Sequence, residues 1–316
     1  MNKPSLIQIA HDDLAATRAE LIAGLSAPMA ALAPKYLYDA LGSRLFAAIT
    51  ELPEYYPTRT EAAIFSAQQA EMATALGRVE TLVDLGAGNC EKAARLFEVF
   101  GVQRYVAVDI SADYLRESLD KLQYEHPAMA ILGVGLDFSA TLDLPPEVGA
   151  GPRTLFYPGS SIGNFTPEAA LIFLRQVHAA CQGGNLLIGV DLVKPDAVLV
   201  PAYDDALGVT AAFNRNLLLH LNRLLDADFD IADWRHVGLF NQTESRIEMH
   251  LEAVRDCMIR WPGGERRFKS GERIHSENSY KWRPQDFDDL LHSAGFRHTR
   301  QWRDANDWFA VFAADA

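Results

Sequence analysis

The chain has 316 residues and a formal net charge of −13, from 29 basic and 42 acidic side chains. This charge disfavours a nucleic-acid backbone as the substrate, because phosphate binding needs clustered Lys and Arg. Apolar residues make up 49% and charged residues 22% of the sequence, as expected for a globular enzyme that acts on a small molecule.

The start of the chain, MNKPSLIQIAHDDL, has no long apolar segment, and no later run is long enough to span a bilayer. We therefore expect a cytoplasmic protein without membrane contact, and a monomer by default. Cys90, Cys181 and Cys257 are widely spaced, so they indicate neither a disulfide framework nor a zinc site. The nine histidines form no ligand-spaced cluster, and we predict no metal.

Apolar spacing predicts several helices before residue 80. The first lies within residues 12–32, the second follows the apolar face of Leu41, Leu45 and Ile49, and the third covers residues 58–76. Between the last two, Tyr55 lies in a loop rich in proline and tyrosine. On sequence alone such rings more often serve loop packing than binding.

The stretch TLVDLGAGNCEK then predicts a cofactor loop. An apolar run suits a buried parallel strand, Gly86 and Gly88 allow a tight turn, and residues 92–100 are predicted to form a helix. Where the dinucleotide fingerprint has a third glycine the chain has Glu91, which counts against NAD. Asp84 would repel a pyrophosphate but could hold a cationic aminoacyl group, which S-adenosylmethionine carries.

Two further strand ends support this cofactor. The apolar run 105–108 ends in Asp109, roughly 20 residues beyond the loop, where a ribose-binding carboxylate is expected. The run 128–134 leads into Asp137 and Phe138, an acid that could accept from the adenine amino group and a ring that could cover the base. Each residue alone could equally be a strand-end cap or part of the core.

The alternation of strands and helices predicts an α/β fold. A fourth strand ends at the segment GSSIGN, so Asn164 lies where open parallel sheets bind ligands, although it could also stabilise a turn. A helix begins at Thr166 and Pro167, and a fifth strand covers residues 185–193. A helix from Pro284 to Gly295 and a hairpin over 296–312 complete a mostly parallel, seven-stranded Rossmann-like sheet, which is typical of class I methyltransferases.

Residues 195–281 interrupt this alternation. They contain a predicted helix over 204–225, a strand over 246–253 with alternating polarity, and a turn at 262–264 before a return strand. The predicted domains are a cofactor-binding core of residues 58–195 and 282–316, and an α+β substrate-binding domain of residues 1–57 and 196–281.

Long segments of the chain resemble one family, the histidine-specific methyltransferases of the ergothioneine pathway, which trimethylate the alpha-amine of L-histidine to give hercynine. The resemblance runs nearly end to end. Its most specific segments are LPEYYPTRTEA, GSSIGNFTP, DLVKP, AYDDALGVTAAFNRN and RIEM.

The resemblance implies roles for individual residues. It implies that S-adenosylmethionine is contacted by Gly86, Lys92, Asp109, Asp137 and Phe138. It implies that histidine is contacted by Tyr55, Asn164, Tyr203, Glu277 and Ser279, with Met249 beside the imidazole ring.

The chemistry of the residues suits these roles. Asn164 and Tyr203 can donate hydrogen bonds to the alpha-carboxylate and orient the amine. Glu277 can accept the imidazole N–H, and a site built for hydrogen bonds rejects apolar analogues strongly. Tyr38 can stabilise the growing positive charge through its ring, at about 0.5–2 kcal/mol. Asn164 and Tyr38 are thus the candidate catalytic residues.

Three alternatives remain at this stage. The chain could methylate another amino acid or amine, or it could be a non-catalytic Rossmann-like binding module. An oxidoreductase is the weakest alternative because the third glycine of its fingerprint is missing.

Overall fold

The computed structural model describes residues 3–9 and 14–316. Contacts between Cα atoms divide the chain into two compact units. The first contains Pro57–Val193, Lys281–Ala316 and the strand Ser5–Gln8, and the second contains residues 14–56 and Lys194–Tyr280. Within the described ranges, no helix has the length and apolar character needed to cross a membrane.

The helices, in chain order, are α1 (Leu14–Ser26), α2 (Ala40–Thr50), α3 (Tyr56–Leu76), α4 (Glu91–Ala94), α5 (Phe97–Phe100), α6 (Ala112–Glu125), α7 (Pro167–Cys181), α8 (Asp196–Leu199), α9 (Val209–Leu225) and α10 (Pro284–Ala294). Short 3-10 helices cover Pro34–Leu37, Pro146–Val148, Ser161–Asn164, Val200–Ala202 and Ile231–Asp233.

The strands are β1 (Ser5–Gln8), β2 (Ala30–Ala31), β3 (Thr81–Leu85), β4 (Arg104–Asp109), β5 (Ala130–Gly135), β6 (Thr154–Tyr157), β7 (Asn185–Asp191), β8 (Trp234–Asn241), β9 (Arg246–Ala253), β10 (Cys257–Trp261), β11 (Gly264–Phe268), β12 (Arg273–Tyr280), β13 (Arg297–Arg303) and β14 (Phe309–Asp315).

The first unit is built on one sheet with the strand order β1-β5-β4-β3-β6-β7-β14-β13. The first six strands in this order are parallel to one another. Strand β14 lies between β7 and β13 and runs antiparallel to both. The predicted fold class and terminal hairpin are confirmed. Strands β3, β4 and β6 are buried along nearly their whole length, as expected for a parallel sheet with both faces covered.

The predicted number of seven strands is wrong, because the described residues form a sheet of eight. The additional strand β1 pairs in parallel with β5 at the sheet edge. Residues 5–8 therefore belong to the first unit and not to the domain predicted for residues 1–57. This strand has only four half-exposed or exposed residues, so its sequence carries no alternation of polarity to identify it.

Capping residues fix two helices of this sheet as predicted. Thr166 accepts a hydrogen bond from the Ala169 N–H at 3.2 Å, directly before Pro167 at the start of α7. Helix α10 begins at Pro284 and ends before Gly295, whose φ of +109° suits glycine.

Two predicted helices have different bounds. The helix predicted over 92–100 is two short helices, α4 and α5, separated at Arg95 and Leu96. Helix α9 begins at Val209 instead of residue 204, because the Asp205 carboxylate accepts from the N–H groups of Val209 and Thr210 at 3.0 and 2.7 Å. The residues before it therefore form a turn.

The second unit contains a four-stranded sheet with the order β2-β12-β9-β8, and β10 and β11 form a separate hairpin. The predicted strand over 246–253 is confirmed as β9, and the predicted turn at 262–264 joins β10 to β11. The partners of β9 in the sheet are β8 and β12, which the sequence analysis did not identify. The mixture of polar and apolar residues in β8 and β12 hides the alternation of polarity that identifies a strand.

A buried ion pair joins the two points where the chain leaves and re-enters the first unit. The Lys281 ammonium lies 2.8 Å from Asp191 Oδ2, and the two side chains are 0% and 1% exposed. The Trp282 N–H donates to the Asp191 carbonyl at 3.0 Å, and the Val193 N–H donates to the Trp282 carbonyl at 3.1 Å. Residues 191–193 and 281–282 are thus held side by side.

Replacing Lys281 with methionine should destabilise the protein strongly. The change removes the Lys281 ammonium from a buried ion pair with Asp191, and breaking such pairs costs about 3–5 kcal/mol. Urea unfolding would show this as a lower midpoint. The matched control is Lys121→Met, which removes an exposed pair with Glu91 and should leave the midpoint nearly unchanged. Equal midpoints for the two variants would contradict the prediction.

Candidate functional site

The glycine loop after β3 is fixed by hydrogen bonds to the end of β4. Gly86 and Gly88 have φ values of +73° and +53°, which suit glycine. The N–H groups of Gly86 and Ala87 donate to the Val108 carbonyl at 2.8 and 3.1 Å, and the Gly88 N–H donates to Asp109 Oδ2 at 2.9 Å. These amides are occupied inside the protein, so they are not directed at a pyrophosphate. The geometry favours the predicted S-adenosylmethionine over NAD.

Asp109 is held in a fixed orientation at the end of β4. Its Oδ1 accepts from the Ser111 N–H at 2.9 Å, while Oδ2 accepts from Gly88. Burial raises the pKa of this carboxyl, and the backbone donors at Ser111 and Gly88 offset part of that effect. A carboxylate can accept about four hydrogen bonds, so Asp109 can also accept from a ribose hydroxyl.

Phe138 lies against the glycine loop. A Cβ built on Gly86 would lie 3.8 Å from Phe138 Cζ, so the absent side chain leaves a cradle below the ring. Phe138 packs edge-on against Tyr157, with ring centroids 5.8 Å apart. The neighbouring Asp137 is half-buried and accepts from the Ser139 N–H at 3.1 Å. An apolar cradle beside two carboxylates fits a nucleoside.

Lys92 lies just beyond the glycine loop on α4 and pairs with Glu61. Its ammonium is 2.7 Å from Glu61 Oε2, and Glu61 Oε1 accepts from the Gly159 N–H at 2.7 Å. Glu61 cannot be identified from the sequence alone. Nothing local marks this residue, because it is one acid within the long helix α3.

Asp84 is buried in the core of the first unit. The Tyr105 hydroxyl donates to its Oδ2 at 2.7 Å, and its Oδ1 has no hydrogen-bond partner among the described residues. Burial raises the pKa of Asp84 to about 7, although the Tyr105 hydrogen bond and the nearby Lys92 ammonium oppose this. Its predicted contact with an aminoacyl group remains a prediction.

Asn164 ends the 3-10 helix that follows β6. The segment begins with Gly159 and with Ser160 at a φ of +62°, an unusual conformation for serine, and Ser160 Oγ accepts from the Asp191 N–H at 2.7 Å. The Asn164 side chain is half-buried and makes no hydrogen bond within the described ranges. Its amide is therefore available to a ligand.

In the second unit, a β-bulge places the predicted substrate residues on one face of the sheet. Strand β12 pairs His275 with His250 and then Glu277 with Met249, so Ser276 is the extra residue. Ser276 Oγ donates to the Met249 carbonyl at 3.0 Å. Because side chains alternate along a strand, this register puts Glu277 and Ser279 on the same face as Met249.

Ser279 and Tyr203 meet directly. Their hydroxyl oxygens are 2.8 Å apart, and both side chains are buried. The Tyr203 carbonyl is 2.8 Å from His236 Nε2, which fixes the backbone at this residue. The structure therefore brings together two residues that lie 76 positions apart in the chain.

Aromatic rings extend from Tyr203 in a continuous cluster. The Tyr203 ring contacts Tyr55, Tyr55 contacts Phe46, and both Phe46 and Phe213 contact Tyr38, with centroid distances of 5.5–6.2 Å. The structure thus brings together Tyr38, Tyr55 and Tyr203. The sequence alone does not mark Phe46 and Phe213 as neighbours of these residues, because aromatic rings within helices mostly serve the core.

The opposite face of this sheet contains Glu248, His250 and His275, whose side chains lie close enough to bind a metal ion. Burial acts to raise the pKa of Glu248, but hydrogen bonds from Asn241, Arg246 and His250 outweigh it and hold that pKa at about 2. The Glu248 oxygens are thus already occupied, and the Arg246 guanidinium supplies the positive charge. We therefore assign these three side chains to a network of hydrogen bonds and ion pairs on this face of the sheet.

The strand order of the first unit, the glycine loop after β3 and the acids after β4 and β5 define a class I S-adenosylmethionine-dependent methyltransferase. A family model described as histidine-specific methyltransferase, SAM-dependent, matches residues 17–316, and the chain belongs to this family.

Relatives match over nearly the same length. The chain is 43% identical to a histidine N-alpha-methyltransferase of Mycolicibacterium smegmatis, over 95% of this chain and 94% of the relative. It is 42% identical to a histidine N-alpha-methyltransferase of Mycobacterium tuberculosis, over 95% of both chains. It is also 30% identical to ergothioneine biosynthesis protein 1 of Neurospora crassa, over 86% of this chain and 32% of that longer protein.

Replacing Asp84 with asparagine should change how stability depends on pH. The folded-state pKa of about 7 lies above the ordinary value of 3.8, so between these values the native state binds more protons than the unfolded state. Asp84 therefore reduces stability as pH rises through this window. Asp84→Asn should be more stable than the wild type at pH 8, by an amount on the order of 2–4 kcal/mol, and similar to it at pH 4.

Urea unfolding at pH 4, 6 and 8 would measure this difference. The comparison between the two proteins is decisive, because burial also lowers the pKa of His236, His250 and His275, which adds a pH dependence common to both proteins. The exposed Asp143→Asn serves as the control and should follow the wild type. The prediction is wrong if Asp84→Asn follows the wild type at every pH.

Proposed function

We propose that this chain transfers three methyl groups in succession from S-adenosylmethionine to the alpha-amine of L-histidine, giving hercynine for ergothioneine biosynthesis. The observation that carries the proposal is the 43% identity, over 95% of the chain, to a relative named histidine N-alpha-methyltransferase. The name of the Neurospora crassa relative supports the pathway. The proposed reaction takes place in the cytoplasm and involves a small-molecule substrate.

The proposed role of the first unit is to bind the methyl donor. Asp109 would accept from the ribose hydroxyls, Asp137 from the adenine amino group, and Phe138 would cover the base. Gly86 would allow the donor to approach the backbone. Lys92 would pair with the donor's carboxylate. The support for these roles is the cradle at Gly86 and the fixed orientation of Asp109.

The proposed role of the second unit is to bind histidine. Glu277 would accept the imidazole N–H, with Ser279 beside it and Met249 against the ring. Tyr55 and Tyr203 would complete the contacts. The support is the register of β9 and β12, which gives Met249, Glu277 and Ser279 a common face. Asn164 has its own proposed role, which is to donate to the alpha-carboxylate.

The methyl donor supplies an electrophilic methyl group on a sulfonium, and the chain's residues must present a neutral amine to it. A site that excludes water favours the neutral amine, because desolvation disfavours the ammonium form. The bound donor would give its methyl to the amine lone pair and keep the S–C bonding electrons as a neutral thioether, and the first two products would each release a proton to solvent before the next transfer. Fixed donors such as Asn164 would align the amine.

The aromatic cluster of Tyr38, Phe46, Tyr55, Tyr203 and Phe213 supports trimethylation in particular. The third transfer creates a quaternary ammonium, which has no N–H to donate. Aromatic faces bind such cations through their quadrupoles, at about 0.5–2 kcal/mol per contact. We assign Tyr38 this role.

Mass spectrometry tests the function directly. The purified protein would be incubated with S-adenosylmethionine and a panel of free amino acids. We expect a mass gain of three methyl groups on histidine and none on the others. Methylation of another amine would replace the proposed substrate. If no amino acid in the panel gains a methyl group, the proposed reaction is wrong.

Glu277 should control the choice of substrate. Replacing it with alanine removes the acceptor for the imidazole N–H, and losing a hydrogen bond to a charged group costs about 1.5–3 kcal/mol. We expect kcat/KM for histidine to fall roughly 10- to 100-fold, with a much smaller loss for tryptophan if tryptophan is turned over at all.

The matched control is Glu248→Ala, on the opposite face of the same sheet. It should leave kcat/KM for histidine within a few-fold of the wild-type value. Equal losses in the Glu277 and Glu248 variants would remove the selectivity role of Glu277.

A further inference from the structure

The buried carboxylate of Glu61 connects two segments of the first unit. Glu61 lies on α3 and its side chain is 1% exposed. Its Oε1 accepts from the Gly159 N–H at 2.7 Å, and its Oε2 lies 2.7 Å from the Lys92 ammonium. Because a buried carboxylate is costly unless both oxygens are bonded, this arrangement favours one defined position of Glu61.

Glycines make this close approach possible. A Cβ on Gly189 would lie 2.3 Å from Glu61 Oε1, and a Cβ on Gly159 would lie 3.2 Å from the Lys92 ammonium. A side chain at Gly189 would push the Glu61 carboxylate away, and one at Gly159 would crowd the Lys92 ammonium. Gly159 also has a φ of +78°, which strains other residues. The backbone is therefore shaped around this ion pair.

Each partner of Glu61 continues into a segment with a proposed function. Lys92 stands on α4 directly after the glycine loop, and its side chain remains 39% exposed. Its ammonium has three N–H donors, and among the described residues it pairs with Glu61, so two donors remain for a ligand carboxylate. Gly159 begins the segment that turns through Ser160 and ends at Asn164.

We propose that Glu61 is a positioning residue for methyl transfer. It holds the Lys92 ammonium where the carboxylate of the methyl donor binds, and it holds the Gly159 N–H and thereby the segment with Asn164. This inference rests on the proposed roles of Lys92 and Asn164.

Charge explains why an ion pair suits this position better than a lysine alone. S-adenosylmethionine has a positive sulfonium, a positive ammonium and one carboxylate, so its net charge is +1. An uncompensated Lys92 would attract the carboxylate but repel the molecule as a whole. With Glu61 beside it, Lys92 keeps its donors while the net charge of the pair is zero. The pair also restricts the rotamers of a long side chain before the ligand binds.

Glu61→Gln separates the two functions of the carboxylate. The amide oxygen can still accept from Gly159, which is a fixed backbone donor, whereas the amide N–H₂ cannot pair with the ammonium. The Kd for S-adenosylmethionine, measured by titration calorimetry without histidine, should rise about tenfold. The KM for histidine should stay within about threefold. In Glu61→Ala, which loses both contacts, both constants should rise.

Two comparisons distinguish positioning from general stability. The matched control is Glu252→Gln in the second unit. Glu252 is another buried carboxylate, and it pairs with the two cations Arg235 and Arg273. This variant should leave the donor Kd within twofold of the wild-type value. In a double-mutant cycle with Lys92→Met, Glu61→Gln should add less than twofold to the Kd, because Glu61 acts through Lys92.

A donor Kd within twofold of wild type in folded Glu61→Gln would overturn the proposal, and so would full additivity with Lys92→Met. If Glu61→Gln does not fold, Glu61→Asp replaces it. Its shorter side chain cannot maintain both 2.7 Å contacts, so a wild-type Kd there would also overturn the proposal. Failure of the histidine reaction in the wild type would instead refute the proposed function, and the Kd comparison would still test the pairing with Lys92.

Discussion

The hydrogen bonds between the loop after β3 and the end of β4 are the constraint on which the first unit's site depends. Gly86 and Ala87 share the Val108 carbonyl, and Gly88 bonds the carboxylate of Asp109. The same bonds that close the turn also orient the acid, so the loop and the predicted ribose contact cannot move independently. With its amides directed inward, the loop offers a smooth backbone surface, which suits an uncharged nucleoside better than a pyrophosphate.

A single extra residue has the corresponding effect in the second unit. Without the bulge at Ser276, the period of two would carry Glu277 and Ser279 to the face of His250 and Glu248, where arginines and histidines already pair with the acids. With the bulge, both side chains share a face with Met249. The sheet thus has a network of charged side chains on one face and the proposed substrate residues on the other.

The sequence predicted those features that local chemistry determines. Glycines at turns, Pro284 and Gly295 at the ends of α10, and acids at strand ends each have a short-range cause, so the parallel sheet and Asp109 could be identified. Glu61 could not, because its role depends on contacts 31 and 98 residues away. Strand β12 could not either, since its bulge interrupts the alternation that identifies a strand. The substrate residues of the second unit came only from resemblance to a family, whereas Asn164 was also indicated by its position after a parallel strand.

On the proposed function, the use of aromatic rings in place of a carboxylate around the amine has a consequence for turnover. The substrate amine must be neutral to react, whereas the product is a permanent cation. A buried carboxylate at that position would stabilise the ammonium form of the substrate and so disfavour the reactive form. It would also bind the quaternary product most tightly. In the proposed role, rings such as Tyr38 and Phe213 would stabilise the cation only modestly, so they would assist charge development in the transition state and still allow the product to leave.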